Sequence, residues 1–166
     1  MKKFSRIITF IFLYILSIFC IGCSKDAFYP ASDIQITKTD PYNILPTSSE
    51  FSSIDDGVIS IKLINSIPCE LVSYDISYKT ALNEPIDTLS MSDIFVNLPF
   101  PEANTETDIT IKPYTQQVMK LFESTTSNIS PIRALVTLHF KDVNENEIKR
   151  TASFLLYKYE ESSSSE

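Results

Sequence analysis

The chain has 166 residues, with 14 basic and 21 acidic side chains, one His and a net charge of −7. That balance excludes an ordinary nucleic-acid binder, because such proteins draw much of their affinity from Lys and Arg set against phosphates. Two glycines exclude Gly-rich phosphate loops, while 43% hydrophobic and 21% charged residues indicate a globular protein and not a disordered one.

The first element is a processing signal. Lys2, Lys3 and Arg6 precede an apolar run from Ile7 to Ile21, and Gly22-Cys23 is followed by the polar Ser24-Lys25-Asp26. Positive charge, a short apolar run and a small residue at its end are the parts of a secretory signal. A spanning helix needs about 20 apolar residues, and this run is shorter. Cys20-Ile21-Gly22-Cys23 resembles the box at the end of bacterial lipoprotein signals, departing from it only where Cys20 replaces the usual Leu. The resemblance implies a diacylglycerol on the Cys23 thiol, cleavage before that residue, and a protein held to a membrane at the cell envelope. Ser24, where Asp would retain a lipoprotein in the inner membrane, implies the outer membrane if the host is Gram-negative. An ordinary signal peptide or a signal anchor with an unmodified Cys is the alternative.

Removal of residues 1–22 takes away three of the 14 basic residues and none of the 21 acidic ones, so the charge becomes −10. Gly57 is then the one glycine left. Cys69 has no partner for an intramolecular disulfide once Cys23 carries lipid, and is either a buried apolar side chain or a reactive thiol. Residues 23–33, with Pro30, read as the lipidated Cys and a tether, 34–159 as one folded domain, and the Ser- and Glu-rich 160–166 as a disordered tail.

Within the domain the period is two. Asp33 to Thr39 is a candidate first strand, and Asp40 to Asp56, with Pro41 and Pro46, reads as loop. Ile59, Ile61 and Leu63 share one face of a second strand; Val72, Tyr74, Ile76 and Tyr78 share a face of a third, opposite Ser73, Asp75 and Ser77. Leu98-Pro-Phe-Pro101 reads as a Pro-rich connection, and Ile109 and Ile111 mark another strand. Gln116 to Glu123 fits a short helix or a strand equally. The final two strands, Arg133–Lys141 and Lys149–Tyr159, alternate most clearly. A three-residue Asn144-Glu145-Asn146 turn, with Asn146 left-handed, sets a register in which paired residue numbers sum to 290. Leu138 then faces Ala152 and Val136 faces Phe154 on one side, with Leu135 facing Leu155 and Arg133 facing Tyr157 on the other.

About seven short strands, turn-rich links and no long helix predict an all-β fold, an antiparallel β-sandwich. The spacing and the long final hairpin resemble an immunoglobulin-like or fibronectin-type module, without the Cys…Trp…Cys core of antibody domains.

Candidate chemistry is sparse. His139, the lone histidine, falls mid-strand on the face away from the core, next to Thr137 and across from Thr151. One His and one free Cys make no zinc site of ordinary ligand count, and no Ser lies in a G-x-S-x-G elbow. Asp142-Val-Asn144-Glu-Asn146-Glu147 resembles the opening of an EF-hand calcium loop, but Glu147 stands at the obligatory Gly and Ser153 at the twelfth-position Glu. No cofactor and no metal are expected. Arg133, Leu135, Leu155 and Tyr157 share an outer sheet face, a candidate contact surface unless another segment covers it. These readings point to a lipid-anchored, non-enzymatic envelope module with an envelope protein or a glycan as partner. Adhesion or glycan binding through that face is the second reading, and a hydrolase built on surface carboxylates a remote third.

Overall fold

A computed structural model of the chain describes residues 29–48, 50–51, 54–100, 102–124 and 129–159. Cys23, the apolar run and the 160–166 tail lie outside the described residues. The described part is all-β, with eight strands in two sheets and one helix of ordinary length. A three-stranded antiparallel sheet has the order β1-β3-β6, built from Ile34–Asp40, Gly57–Leu63 and Glu106–Ile111. A five-stranded sheet has the order β2-β8-β7-β4-β5, from Asn43–Ile44, Glu147–Leu156, Ile132–Asp142, Cys69–Lys79 and Met91–Phe100.

Alternation decides which faces meet. Ile59, Ile61 and Leu63 of β3 are fully buried, as are Ala134, Val136 and Leu138 of β7 and Phe154 and Leu156 of β8. Both sheets contribute to one hydrophobic core. Each fully buried aliphatic or aromatic side chain stabilises the fold by roughly 1.5–3 kcal/mol, so this strip outweighs any single polar contact. The two sheets meet tightly at Gly57, where a Cβ would lie 2.5 Å from Phe154 Cε1.

The register of the last hairpin differs from expectation by two. Paired residue numbers sum to 288: Ala134 faces Phe154, Val136 faces Ala152, and Leu138 faces Arg150. An even sum keeps every side chain on its expected face, while every partner changes. The reason lies in the turn. The three-residue turn sits one residue earlier, on Val143-Asn144-Glu145 between Asp142 and Asn146, with the Glu145 N–H bonded to the Asp142 carbonyl at 3.0 Å and the Asp142 N–H to the Asn146 carbonyl at 3.1 Å. Glu145, not Asn146, takes the left-handed conformation (φ 63°).

Three further expectations change and one ambiguity is settled. Leu98 to Phe100 of the Pro-rich stretch belong to β5, an edge strand, where a residue without an N–H is tolerated at Pro99. Two irregularities interrupt its pairing with β4, and in each the added β5 residue includes a left-handed one, Asn97 (φ 54°) or Asp93 (φ 55°). The 40–56 loop contains β2, which runs parallel to β8; the Leu155 N–H donates to the Tyr42 carbonyl at 2.8 Å and the Tyr157 N–H to the Ile44 carbonyl at 3.1 Å. Gln116–Ser124 is a helix, α1. Thr115 caps it, its Oγ1 accepting from the Val118 N–H at 3.3 Å, and Val118 and Phe122, one turn apart, are both buried. Finally, Ser32 is already part of the fold, two residues inside the expected tether. Its Oγ donates to the Ile67 carbonyl at 2.7 Å and its side chain is buried.

Candidate functional site

The outer face of the five-stranded sheet carries the residues singled out from sequence. At one end Arg133 lies opposite Leu155 and Leu135 opposite Ser153. Tyr157 follows the end of β8. Arg133 is exposed, while Leu135, Leu155 and Tyr157 are half-buried. The four therefore lie along one side of the sheet, with the cross-strand partners reassigned by the register. Arg133 Nη1 reaches Asn83 Oδ1 at 3.4 Å, and Leu155 is paired with Asn43 of β2, which the exposed Tyr42 and Leu45 flank in the chain.

The middle of the face is polar. Thr137 and Thr151 hydroxyls meet at 3.3 Å across the β7–β8 pair. His139 lies across from Lys149, not Thr151, and its Nε2 is 2.7 Å from Asp75 Oδ2 on the neighbouring strand β4. The other Asp75 oxygen accepts the Asp93 N–H at 2.8 Å. Partial burial pushes the Asp75 carboxyl up, but the Asp93 N–H and the His139 ring outweigh it and hold the group below the usual carboxylate range. Sequence alternation places both residues on the polar faces of their strands. Their meeting depends on the β4–β7 register, which no local pattern contains. A depression of 240 Å³ beside His139 is lined by Val72, Ser73, Lys141, Glu147 and Lys149 among others. Val72, expected on the core face with Tyr74, is the residue added where β4 shifts register against β7. Lys141 and Lys149 against Glu147 leave the rim of this hollow with a small net positive charge.

The segment with the EF-hand-like opening folds inward. Asp142 is 5% exposed, and its carboxylate accepts four hydrogen bonds: the Asn144 and Asn146 N–H groups on Oδ1, each at 2.8 Å, and the Asn146 amide (3.0 Å) and Ser32 N–H (3.1 Å) on Oδ2. Its lone pairs are spent on the loop and on the Ser32 N–H, and not offered to a cation. Among the described residues, no group of three or more His, Cys, Asp or Glu side chains is arranged to hold a metal ion.

Cys69, next to Asp142 in the ladder, is buried and unpaired. Burial pushes its thiol up, the Ser32 contact opposes this, and the nearby Asp142 charge raises it further. The folded chain is expected to react slowly with a thiol reagent at neutral pH and rapidly in denaturant, with a Cys69→Ser variant as the blank for other cysteines. Equal rates in both conditions would show an accessible thiol.

A separate apolar cleft of 140 Å³ opens at α1, lined by Pro46, Ile54, Tyr114, Met119 and Phe122 with Lys158 and Tyr159 at its edge. Tyr114 and Phe122 rings are 6.0 Å apart, and the Tyr114 hydroxyl donates to the Tyr157 carbonyl at 3.2 Å.

No protein-family model matches the sequence, and no curated protein matches it. Among solved structures, the chain is similar to a Bordetella pertussis protein provisionally assigned as ApaA, at 13% identity and a TM-score of 0.39. That match covers 76% of this chain and 94% of the other. A score of that size does not establish a common fold.

Proposed function

We propose that the chain is a lipid-anchored, non-enzymatic module of the cell envelope, with an immunoglobulin-like sandwich that uses the outer face of its five-stranded sheet for contact. One observation carries the anchor: Gly22-Cys23 closes an apolar run that begins behind Lys2, Lys3 and Arg6. The sheet orders β1-β3-β6 and β2-β8-β7-β4-β5, with a short strand parallel to the last one, support the sandwich reading. Function on such a fold belongs to the surface and not to the topology. The one His is committed to Asp75, and the acidic hairpin to its own backbone. The half-exposed Leu135, Leu155 and Tyr157 beside Arg133 form the apolar part of the contact face, which fits an envelope protein or a glycan as partner.

Several acyl chains hold a domain to a bilayer stably, at about 0.8 kcal/mol per buried methylene, where a net charge of −10 gives no electrostatic help against anionic lipid. Growth with a fatty-acid analogue is expected to label the wild-type chain and leave the Cys23→Ala variant unlabelled and released from membranes. Equal labelling of the two would defeat the anchor.

A further inference from the structure

Sheet edges invite other strands unless something blunts them, and three of the four edges here are blunted. β1 is irregular between Ile36 and Lys38, β5 carries two irregularities and Pro99, and β2 is only two residues long. β6 is different. Its six residues run in unbroken register with β3, from Gly57 opposite Ile111 to Lys62 opposite Glu106, with no Pro and no left-handed residue. Among the described residues its backbone makes no hydrogen bond beyond the β3 ladder. One side of β6 therefore presents a straight row of open N–H and C=O groups.

We infer that β6 is the interface of a homodimer, pairing antiparallel with β6 of a second copy about a two-fold axis at Ile109. The sequence of the strand selects both the occupant and the register. Centred on Ile109, the pairing sets Thr107 against Ile111 of the partner subunit and Asp108 against Thr110 of the partner subunit. It also sets Glu106 against Lys112 of the partner subunit, twice by symmetry. Glu106 and Lys112 are exposed, and the nearest acid to Lys112 Nζ, Asp56, is 3.7 Å away with Lys112 75% exposed. Glu106 accepts a bond from Thr37 on one carboxylate oxygen, which leaves the other for the incoming lysine. A shift of one residue would set Ile109 against an outer-face residue and place the cores of the two subunits on opposite sides of the joined sheet. Centring on Asp108 instead would oppose two Asp108 carboxylates, and centring on Thr110 would shorten the ladder and leave Glu106 facing Tyr114. The strand is thus complementary to itself in one register, which favours a second copy over an unrelated chain. The product is a continuous six-stranded sheet with β6 at its centre.

Sedimentation velocity on the full chain in detergent tests this. The wild type is expected to form a dimer, and Glu106→Lys and Lys112→Glu each to weaken it by about tenfold or more, since each replaces two attractive pairs by two repulsive ones. The double variant Glu106→Lys/Lys112→Glu is expected to restore it. In parallel, Asp108→Cys/Thr110→Cys should give a disulfide-linked dimer under mild oxidation, and neither single variant should. A monomeric wild type overturns the inference. So does a dimer indifferent to both charge reversals.

Discussion

Asp142→Ala is expected to destabilise the protein by about 3 kcal/mol, because it strands buried donors that each cost roughly 1–3 kcal/mol when unpaired. The Asp142 carboxylate collects the Asn144, Asn146 and Ser32 N–H groups and the Asn146 amide, so a single side chain closes the β7–β8 turn and fastens the segment before β1 to it. Asp142→Asn keeps the shape but turns one acceptor into a donor facing a donor, and is expected to lose nearly as much. The sign of the pH dependence follows from the same contacts. Burial pushes the carboxyl up, but the bonds from Asn146, Ser32 and Asn144 outweigh burial and bring it below its ordinary value of 3.8. A depressed carboxyl contributes stability that is fully present above the unfolded value and lost as pH falls through the folded one. Urea unfolding between neutral pH and strong acid should therefore show the gap between wild type and Asp142→Asn closing as pH drops below about 4. A gap that stays constant through that range would mean that the ionised carboxylate is not what the loop requires.

Gly57→Ala is expected to cost about 1–3 kcal/mol, and Gly57→Val more, by overpacking. Gly57 does not take a left-handed conformation, so the penalty comes from space and not from backbone torsion. A Cβ there would stand 2.5 and 2.7 Å from Cε1 and Cζ of Phe154, whose ring is fully buried and has no solvent to swing into. Either the ring leaves its rotamer or the two sheets separate locally. Phe154→Leu removes the offending edge, so the double variant Gly57→Ala/Phe154→Leu should be more stable than the two single losses added together. Thermal or urea unfolding of the four proteins decides it. Strict additivity would place the strain somewhere other than this contact.

The core was readable in the sequence because burial imposes a period. Ile59, Ile61 and Leu63, and Ala134, Val136 and Leu138, alternate in the chain and all face inward. Gln116–Ser124 was ambiguous by that test alone, and what decides it is the pairing of doublets: Val118 with Met119 and Leu121 with Phe122 suit a helix that buries one residue of each pair against the core. β5 was hidden by Pro99, a breaker in a central strand and harmless on an edge, although Ile94, Val96, Leu98 and Phe100 alternate. The hairpin register is hidden from the sequence for a different reason. Asn is the usual stand-in for glycine at a left-handed position, yet here Glu145 adopts it, because the Asp142 carboxylate holds Asn144 and Asn146 on either side. The proposed contact face is legible as a face, since an even register preserves sides. The Asp75–His139 pair is not, because it joins strands 64 residues apart in the chain.

Ser32 also bears on how the fold meets a load. Its N–H is held by the Asp142 carboxylate and its hydroxyl by the Ile67 carbonyl, while Arg150 Nε donates to the Ile34 carbonyl at 2.6 Å two residues later. A pull transmitted along the chain from its N-terminal side reaches these cross-links before it can peel β1 from β3. They join the first strand to the last hairpin, across more than 100 residues of sequence. Force entering there is spread over both sheets at once, so the domain is clamped at the point where a membrane attachment would tug on it.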